Sequence, residues 1–223
     1  MDIYEAIKHR RTVRQYEDKP IPADIADKLN EVISSCNEEG GLNIQLVLNE
    51  PKAFNSMMAK YGSFKGVTNY IAVIGKNSPD LDEKAGYYGE KIVLEAEMLG
   101  LNTCWVALTY KKIPTAYTVK DGEKMILVIA LGYGLTNDGG KRKSKNIEAV
   151  SNCTETSPEW FRKGVEAALR APTAINQQKF FLEFDGEKGV KAKAGVGVHA
   201  KLDLGIVKYH FEIGAGKDNF IWK

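Results

Sequence analysis

Four short stretches hold residues whose chemistry goes beyond packing. Arg10, Arg11, Thr12 and Arg14 place three guanidiniums and a hydroxyl within five positions. Such a set can grip a phosphate through paired N–H donors and stabilise other anionic oxygens; standing alone, it reads as a solvated basic turn. Lys141-Arg142-Lys143-Ser144-Lys145 is a second basic cluster, able to close the other side of the same anion or to serve as a solvated loop. Pro172-Thr173-Ala174-Ile175-Asn176-Gln177 joins a helix to a strand, a preferred place for ligand contacts. Its Thr and Asn side chains, with backbone amides, suit a flat polar heterocycle. Asn102 to Leu108 sets Trp105 beside Val106, Ala107 and Leu108, where a ring could lie on backbone; core packing explains the same pattern.

Other chemistries lack their parts. Cys36, Cys104 and Cys153 are odd in number and without metal-type spacing, and the histidines stand only at 9, 199 and 210. No metal centre is expected, and the cysteines read as reduced thiols of a cytosolic protein. Cys104 has no apparent partner histidine and reads as a small buried hydrophobe rather than a nucleophile. Gly195-Val196-Gly197-Val198-His199-Ala200 imitates a dinucleotide-binding fingerprint, but the chain ends at 223, leaving no strand or ribose-binding acid to complete the unit.

Composition sets outer limits. The 223 residues are 43% hydrophobic and 27% charged, which is ordinary for a globular protein with a sizeable core. A net charge of +2 argues against nucleic acid or an acidic membrane as the main partner. The longest apolar stretch, Met125 to Leu135, is broken by glycines and too short to span a bilayer, and MDIYEAIKHRR has no signal-peptide core.

Regular elements must position these residues. Asp2 and Glu5 form a capping box for a short helix ending near Arg10. Pro22 starts a helix whose apolar stripe is Ile25, Leu29, Val32, Ile33 and Cys36, stopped by Gly40-Gly41. Leu42, Ile44, Leu46 and Leu48 alternate as a strand with one face buried. A short helix over 54–61, a central strand at Tyr70–Ile74 and a mostly buried helix over 85–99 follow. A strand from Thr103 to Leu108 and a central strand from Met125 to Leu131 come next. Residues 136–156 read as a polar linker. Helix 158–169, strands 179–184 and 189–195, and a helix from Asp203 to about Ile213 complete the chain.

A shift of 136 positions, without gaps, sets Pro22 on Pro158, Ile25 on Phe161, Leu29 on Val165 and Ile33 on Leu169. It also sets Ile44, Leu46 and Leu48 on Phe180, Leu182 and Phe184. Gly89 and Gly100 are eleven apart, as are Gly205 and Gly216. The pattern predicts a duplicated helix–strand–helix unit, like a fused dimer, within a single domain over 1–223 whose halves are about 1–150 and 151–223.

Together these motifs resemble the FMN-dependent nitroreductase family over nearly the whole chain. Its R-R-[ST]-x-R motif matches Arg10, Arg11, Thr12 and Arg14, and its A-P-[ST]-x-x-N-x-Q loop matches Ala171, Pro172, Thr173, Asn176 and Gln178. Gly100-Leu101-Asn102-Thr103-Cys104-Trp105 is similar to the end of its central helix, and Lys143-Ser144-Lys145 to its late basic motif. The order departs from the family's, because the A-P-[ST] loop should follow the helix at 22–36 and instead stands at 171–178. The repeat accounts for this if the C-terminal unit supplies that loop to the site of the N-terminal unit.

The resemblance implies an α+β fold with a mixed, largely antiparallel sheet flanked by helices. It implies FMN, one per chain, as cofactor and NADH or NADPH as co-substrate. Arg10, Thr12, Lys143 and Lys145 would hold the phosphate, with Arg11 beside them and Arg14 near the pyrimidine edge or ribityl chain. Trp105, Val106, Ala107 and Leu108 would face the ring from one side, and Pro172, Thr173, Ala174 and Asn176 would cover it from the other. No side chain acts as acid or base, and a nitroaromatic or quinone accepts the electrons in a ping-pong cycle. A cytoplasmic monomer or weak homodimer is expected, with no nucleic-acid or membrane partner. A flavin-storing or sensing protein without turnover, and a dehydrogenase or dehalogenase of the same fold, are the alternatives.

Overall fold

Six α-helices and seven β-strands form among the described residues, 1–135 and 143–223, of a computed structural model. They gather into two compact units, each drawn from separated stretches of chain. One comprises His9–Leu81 and Lys91–Lys141; the other comprises Met1–Lys8, Asp82–Glu90 and Arg142–Lys223. None of the described helices is long and apolar enough to cross a membrane.

In the first unit, α2 (Ala23–Gly40) packs through Ala26, Leu29, Ile33 and Cys36, and Gly41 caps it in the left-handed conformation, as the apolar spacing and the double glycine predict. The sheet has the order β1-β2-β4-β3, all antiparallel, with β1 at Gln45–Val47, β2 at Asn69–Lys76, β3 at Asn102–Val106 and β4 at Glu123–Gly132. Tyr70 to Ile74 is at most 1% exposed, as expected of a strand covered on both faces. The first strand differs from its predicted alternation. Ile44 and Val47 are buried, whereas Leu42, Leu46 and Leu48 are only half-buried. The cause is Asn37, whose side chain accepts from Ile44 N–H (2.7 Å) and donates to Ile44 O (2.9 Å), so the chain enters β1 already bonded to α2. A short helix, α3 (Met57–Tyr61), is capped by Ser56, which accepts from Ala59 N–H.

In the second unit, α1 (Ile3–His9) begins with the predicted capping box: Glu5 N–H donates to Asp2 (2.9 Å) and Asp2 N–H to Glu5 (3.3 Å). The sheet has the order β5-β6-β7, with β5 at Phe180–Phe184, β6 at Gly189–Ala194 and β7 at Ile221–Trp222. The first pair is antiparallel and the second parallel. Against it pack α5 (Glu159–Ala168) and α6 (Ala200–Ala215), around an aromatic cluster in which Phe211 meets Phe220 at 5.0 Å and Phe161 at 5.8 Å. The polar-linker reading of 136–156 is corrected over its described part. Val150, Ser151 and Cys153 are buried, and Leu182 N–H donates to Val150 O (2.8 Å), so this segment adds backbone bonds to the edge of β5.

The helix N-caps of the two proposed copies match: Pro22 has ψ 151° and Pro158 ψ 144°. The first part of α4 (Leu81–Met98) crosses α6 in reciprocal fashion. A Cβ on Gly86 would collide with the Leu202 carbonyl and lie 3.1 Å from Ile206 N, while one on Gly205 would collide with the Glu83 carbonyl and lie 2.7 Å from Tyr87 N. Each glycine thus meets the residue three before and one after the other. Gly86 is thus the contact partner of Gly205 in this crossing. Nearby, His210 lies fully buried against Glu90 (2.8 Å) and Ala167 O (3.1 Å). A carbonyl cannot donate, so Nδ1 carries a proton and the Glu90 pair shares another.

Two stability outcomes follow. Gly205→Ala should lose about 1–3 kcal/mol or more in urea unfolding, because the obstacle is backbone that cannot rotate away; unchanged stability would contradict the close crossing. His210→Leu should cost about 3–5 kcal/mol by taking the imidazole away from the buried Glu90, and Glu90→Leu combined with His210→Leu should cost less than the sum of the two single changes.

Candidate functional site

The arginine-bearing segment leaves α1 and is stitched to three stretches of the first unit. Thr12 bridges Thr103 of β3, and Val13 N–H donates to Thr103 O (3.1 Å). Lys65 N–H donates to Arg14 O (3.0 Å), Tyr16 N–H to Lys65 O (2.9 Å), and Glu17 N–H to Tyr133 O (2.8 Å). The buried Tyr16 hydroxyl donates back to Val13 O (2.7 Å), closing the turn that carries Arg14. Gly66, at φ +73°, lies where any Cβ would strike the Tyr16 carbonyl, so this seam requires glycine.

Thus fixed, Arg14 lines a pocket of about 360 Å³ together with Gly62–Phe64 and Cys104–Ala107. Of the described residues around it, Arg14 alone is charged. Burial pushes the Cys104 thiol up to about 11, against the pull of Arg14 and Arg10. Cys104 therefore stays protonated near neutral pH and is no nucleophile. Trp105, Val106 and Ala107 lie on the pocket wall. Leu108 points out of it, 74% exposed, and Thr109 takes its place. Tyr61, Gly62, Ser63 and Phe64 had no recognisable motif. Their signal is conformational: Ser63 is left-handed at φ 63°, and Tyr61 stays exposed at the pocket edge.

The other predicted arginines behave differently. Arg11 donates through Nη1 to Arg10 O (3.0 Å) and His9 O (3.3 Å), holding the end of α1. Arg10 is only 5% exposed, whereas Thr12 is exposed. Glu97, on the second half of α4, is buried, and its Oε2 accepts no hydrogen bond. Burial holds its carboxyl above the usual carboxylate range, against the pull of Arg10, His9 and Arg11 and a hydrogen bond from Asn102.

In the second unit the basic segment and the proline loop come together. Asn176 Nδ2 donates to Lys143 O (2.8 Å), and Gln178 Nε2 to the same oxygen (2.9 Å). Lys145 donates through its backbone N–H to Gln178 Oε1 (2.9 Å) and through Nζ to Gln178 O (2.8 Å). Gln178 N–H returns to Thr173 Oγ1 (3.1 Å). Pro172, Thr173 and Ala174 are half-buried in this network, and Asn176 is exposed. Lys141 and Arg142 of the same cluster lie outside the described residues. A larger cleft of about 1270 Å³ in this unit is lined by Lys8, Lys145 and Lys163 but also by Glu148, Glu159 and Glu166. Its mixed signs select no charge type, so the smaller pocket is the better candidate for chemistry. No group of three or more His, Cys, Asp or Glu suited to a metal occurs among the described residues.

The model of the family described as "Putative TM nitroreductase" matches residues 2–215. A "Putative NADH dehydrogenase/NAD(P)H nitroreductase" from Methanothermobacter thermautotrophicus is 26% identical over 160 residues, which is 62% of this chain and 81% of the relative. A solved "putative nitroreductase" from Thermotoga maritima aligns with a TM-score of 0.70 at 23% identity, over 98% of this chain and 85% of its own. A solved "Putative NADH dehydrogenase/NAD(P)H nitroreductase" from Parabacteroides distasonis gives 0.52 at 21%, over 70% of this chain and 98% of its own. What these solved structures share with the chain is the nitroreductase-like α+β fold.

Glu97 makes the site's electrostatics measurable. Its folded-state carboxyl holds a proton more tightly than the unfolded one, so the fold disfavours the ionised form. The penalty is absent while both states are protonated and grows as pH rises through the unfolded value. Melting temperatures of wild type and Glu97→Gln, compared from acid to mildly alkaline pH, should shift in favour of the variant as pH rises. A difference that stays flat, or moves the other way, contradicts this.

Proposed function

The chain belongs to the "Putative TM nitroreductase" family, and we propose that it is an FMN-dependent oxidoreductase. It takes reducing equivalents from NADH or NADPH and delivers them to a small electron-poor acceptor such as a nitroaromatic or quinone. One observation carries this reading: a pocket at the end of β3 in whose wall Arg14 is the one charged side chain among the described residues, beside a thiol that burial keeps neutral. A wall with one cation and no carboxylate suits a planar heterocycle that is neutral when oxidised and gains negative charge when reduced. When bound, FMN would supply the two-electron exchange itself.

The chain's own residues bind, orient and neutralise. Arg14, immobilised by the Tyr16 turn, offsets negative charge at the pyrimidine edge. Arg10 and Thr12 are assigned to the phosphate. Arg11 acts one step back, fixing the carbonyls from which Arg10 projects. Lys143 and Lys145 are assigned to the phosphate as well, and Pro172, Thr173, Ala174 and Asn176 to the ring. The hydrogen bonds joining these two groups support treating them as one ligand-binding set. No side chain of the pocket needs to donate or accept a proton, which agrees with a protonated Cys104. The duplicated N-caps and the reciprocal glycine crossing support a fused pseudo-dimer, hence one FMN per chain in a monomer. The three free, buried cysteines support a reducing, cytoplasmic setting.

Under anaerobic conditions, the visible flavin absorbance of the purified protein should bleach on adding NADH or NADPH and return with a quinone or nitroaromatic. Bound flavin that neither nicotinamide reduces would favour a storage or sensing protein. Arg10→Lys keeps the charge but loses the planar fork. It should weaken FMN about tenfold and leave riboflavin, which has no phosphate, unchanged; equal losses for both would remove Arg10 from the phosphate.

A further inference from the structure

The proline loop is held in a conformation its residues do not favour. Ile175, Asn176 and Gln178 have φ of 48°, 54° and 46°, and none is glycine. For a β-branched residue such as Ile175, left-handed backbone is a true outlier, and such strain persists only where surrounding contacts impose it. The strained residue is also 93% exposed, so no burial of its own side chain compensates.

The contact that imposes it is Asp203, in the first turn of α6 and 4% exposed. Its two carboxylate oxygens accept the Ala174 N–H at 3.0 and 3.1 Å, and Oδ2 also accepts Gln177 Nε2 at 2.7 Å. The same Gln177 amide donates to Val198 O (2.7 Å). Asp203 therefore clasps the loop on both sides of Ile175 and Asn176. Through Gln177 it also ties in the Gly195–Val198 turn, the segment that only imitates a dinucleotide fingerprint. One N–H of the Gln177 amide and the Ala174 N–H both donate to this acceptor group, and the start of a helix is where a negative charge is favoured.

We propose that Asp203 is a positioning residue of the flavin site, holding the Thr173–Gln178 loop in the strained form that presents Ala174 and Asn176 to the ring. This inference rests on the flavin reading above. Asp203 touches no ligand; it acts through Ala174 N–H and Gln177. In Asp203→Asn, one acceptor becomes a donor facing the Gln177 amide, and the loop can relax toward ordinary backbone. The hydrogen bonds of α6 and of the β5–β6 pair do not depend on it, so ring recognition should suffer more than the fold.

The test compares full-length wild type, Asp203→Asn and Gln177→Ala. It reads FMN and riboflavin affinities by fluorescence quenching, the visible spectrum of the bound flavin, and melting temperature. Asp203→Asn should weaken FMN and riboflavin by the same factor, about tenfold, and shift the spectrum toward free flavin. Gln177→Ala, which leaves the Ala174 bond, should do the same to a smaller degree. Wild type that binds flavin while both variants match it in affinity and spectrum overturns the positioning role alone. Loss of FMN affinity with riboflavin untouched also overturns it, since that places the effect at the phosphate. Wild type that takes up no flavin overturns the parent reading, and this inference with it.

Discussion

The hydrogen bond from the buried Tyr16 hydroxyl to Val13 O closes a turn on which the candidate site depends. The stretch from Thr12 to Glu17 belongs to no helix or strand, and an irregular segment of this kind would ordinarily be mobile. Here its backbone groups bond to Thr103, Lys65 and Tyr133, three separate parts of one unit. Tyr16 fills the space beneath, with Gly66 under its carbonyl and Gly132 under its ring. Arg14 inherits this rigidity. A guanidinium on a floating loop would offset little charge in the pocket, because water would screen it and ordering it would cost side-chain entropy.

The second unit solves a related problem by different means. Its loop contains three non-glycine residues at positive φ, each costing on the order of 1–3 kcal/mol. Opposing that cost are an acidic clasp at Asp203 and a mesh joining Thr173, Asn176 and Gln178 to Lys143 and Lys145. The helices behind the loop are braced by the Gly86–Gly205 crossing and by the buried Glu90–His210 pair. Strain in an exposed loop and rigidity in the helices behind it are the usual signs of a surface kept ready for a ligand.

Local rules made much of this visible in the sequence. The capping box at Asp2 and Glu5, the proline starts at 22 and 158, the Gly40-Gly41 stop and the continuous apolar strand at Tyr70–Ile74 each depend on neighbours within a few residues. The pocket residues Arg14 and Trp105 to Ala107 were legible through short motifs. What was hidden depends on distant partners. Glu90 meets His210 across 120 positions, and Asp203 meets Ala174 across 29. Neither pairing leaves a periodic trace. The alternation at Leu42–Leu48 misled because Asn37 binds Ile44 and overrides the side-chain pattern. Residue type alone likewise does not show that the Arg11 guanidinium donates back to the carbonyls at the end of α1.

The count of flavin molecules per polypeptide, taken from the absorbance of flavin released by denaturing the purified protein, tests the central claim most directly. One FMN per chain is the result that the Arg14 pocket and the proposed fusion of two repeats predict. A colourless protein that takes up no FMN on reconstitution, or one that holds two, would contradict it.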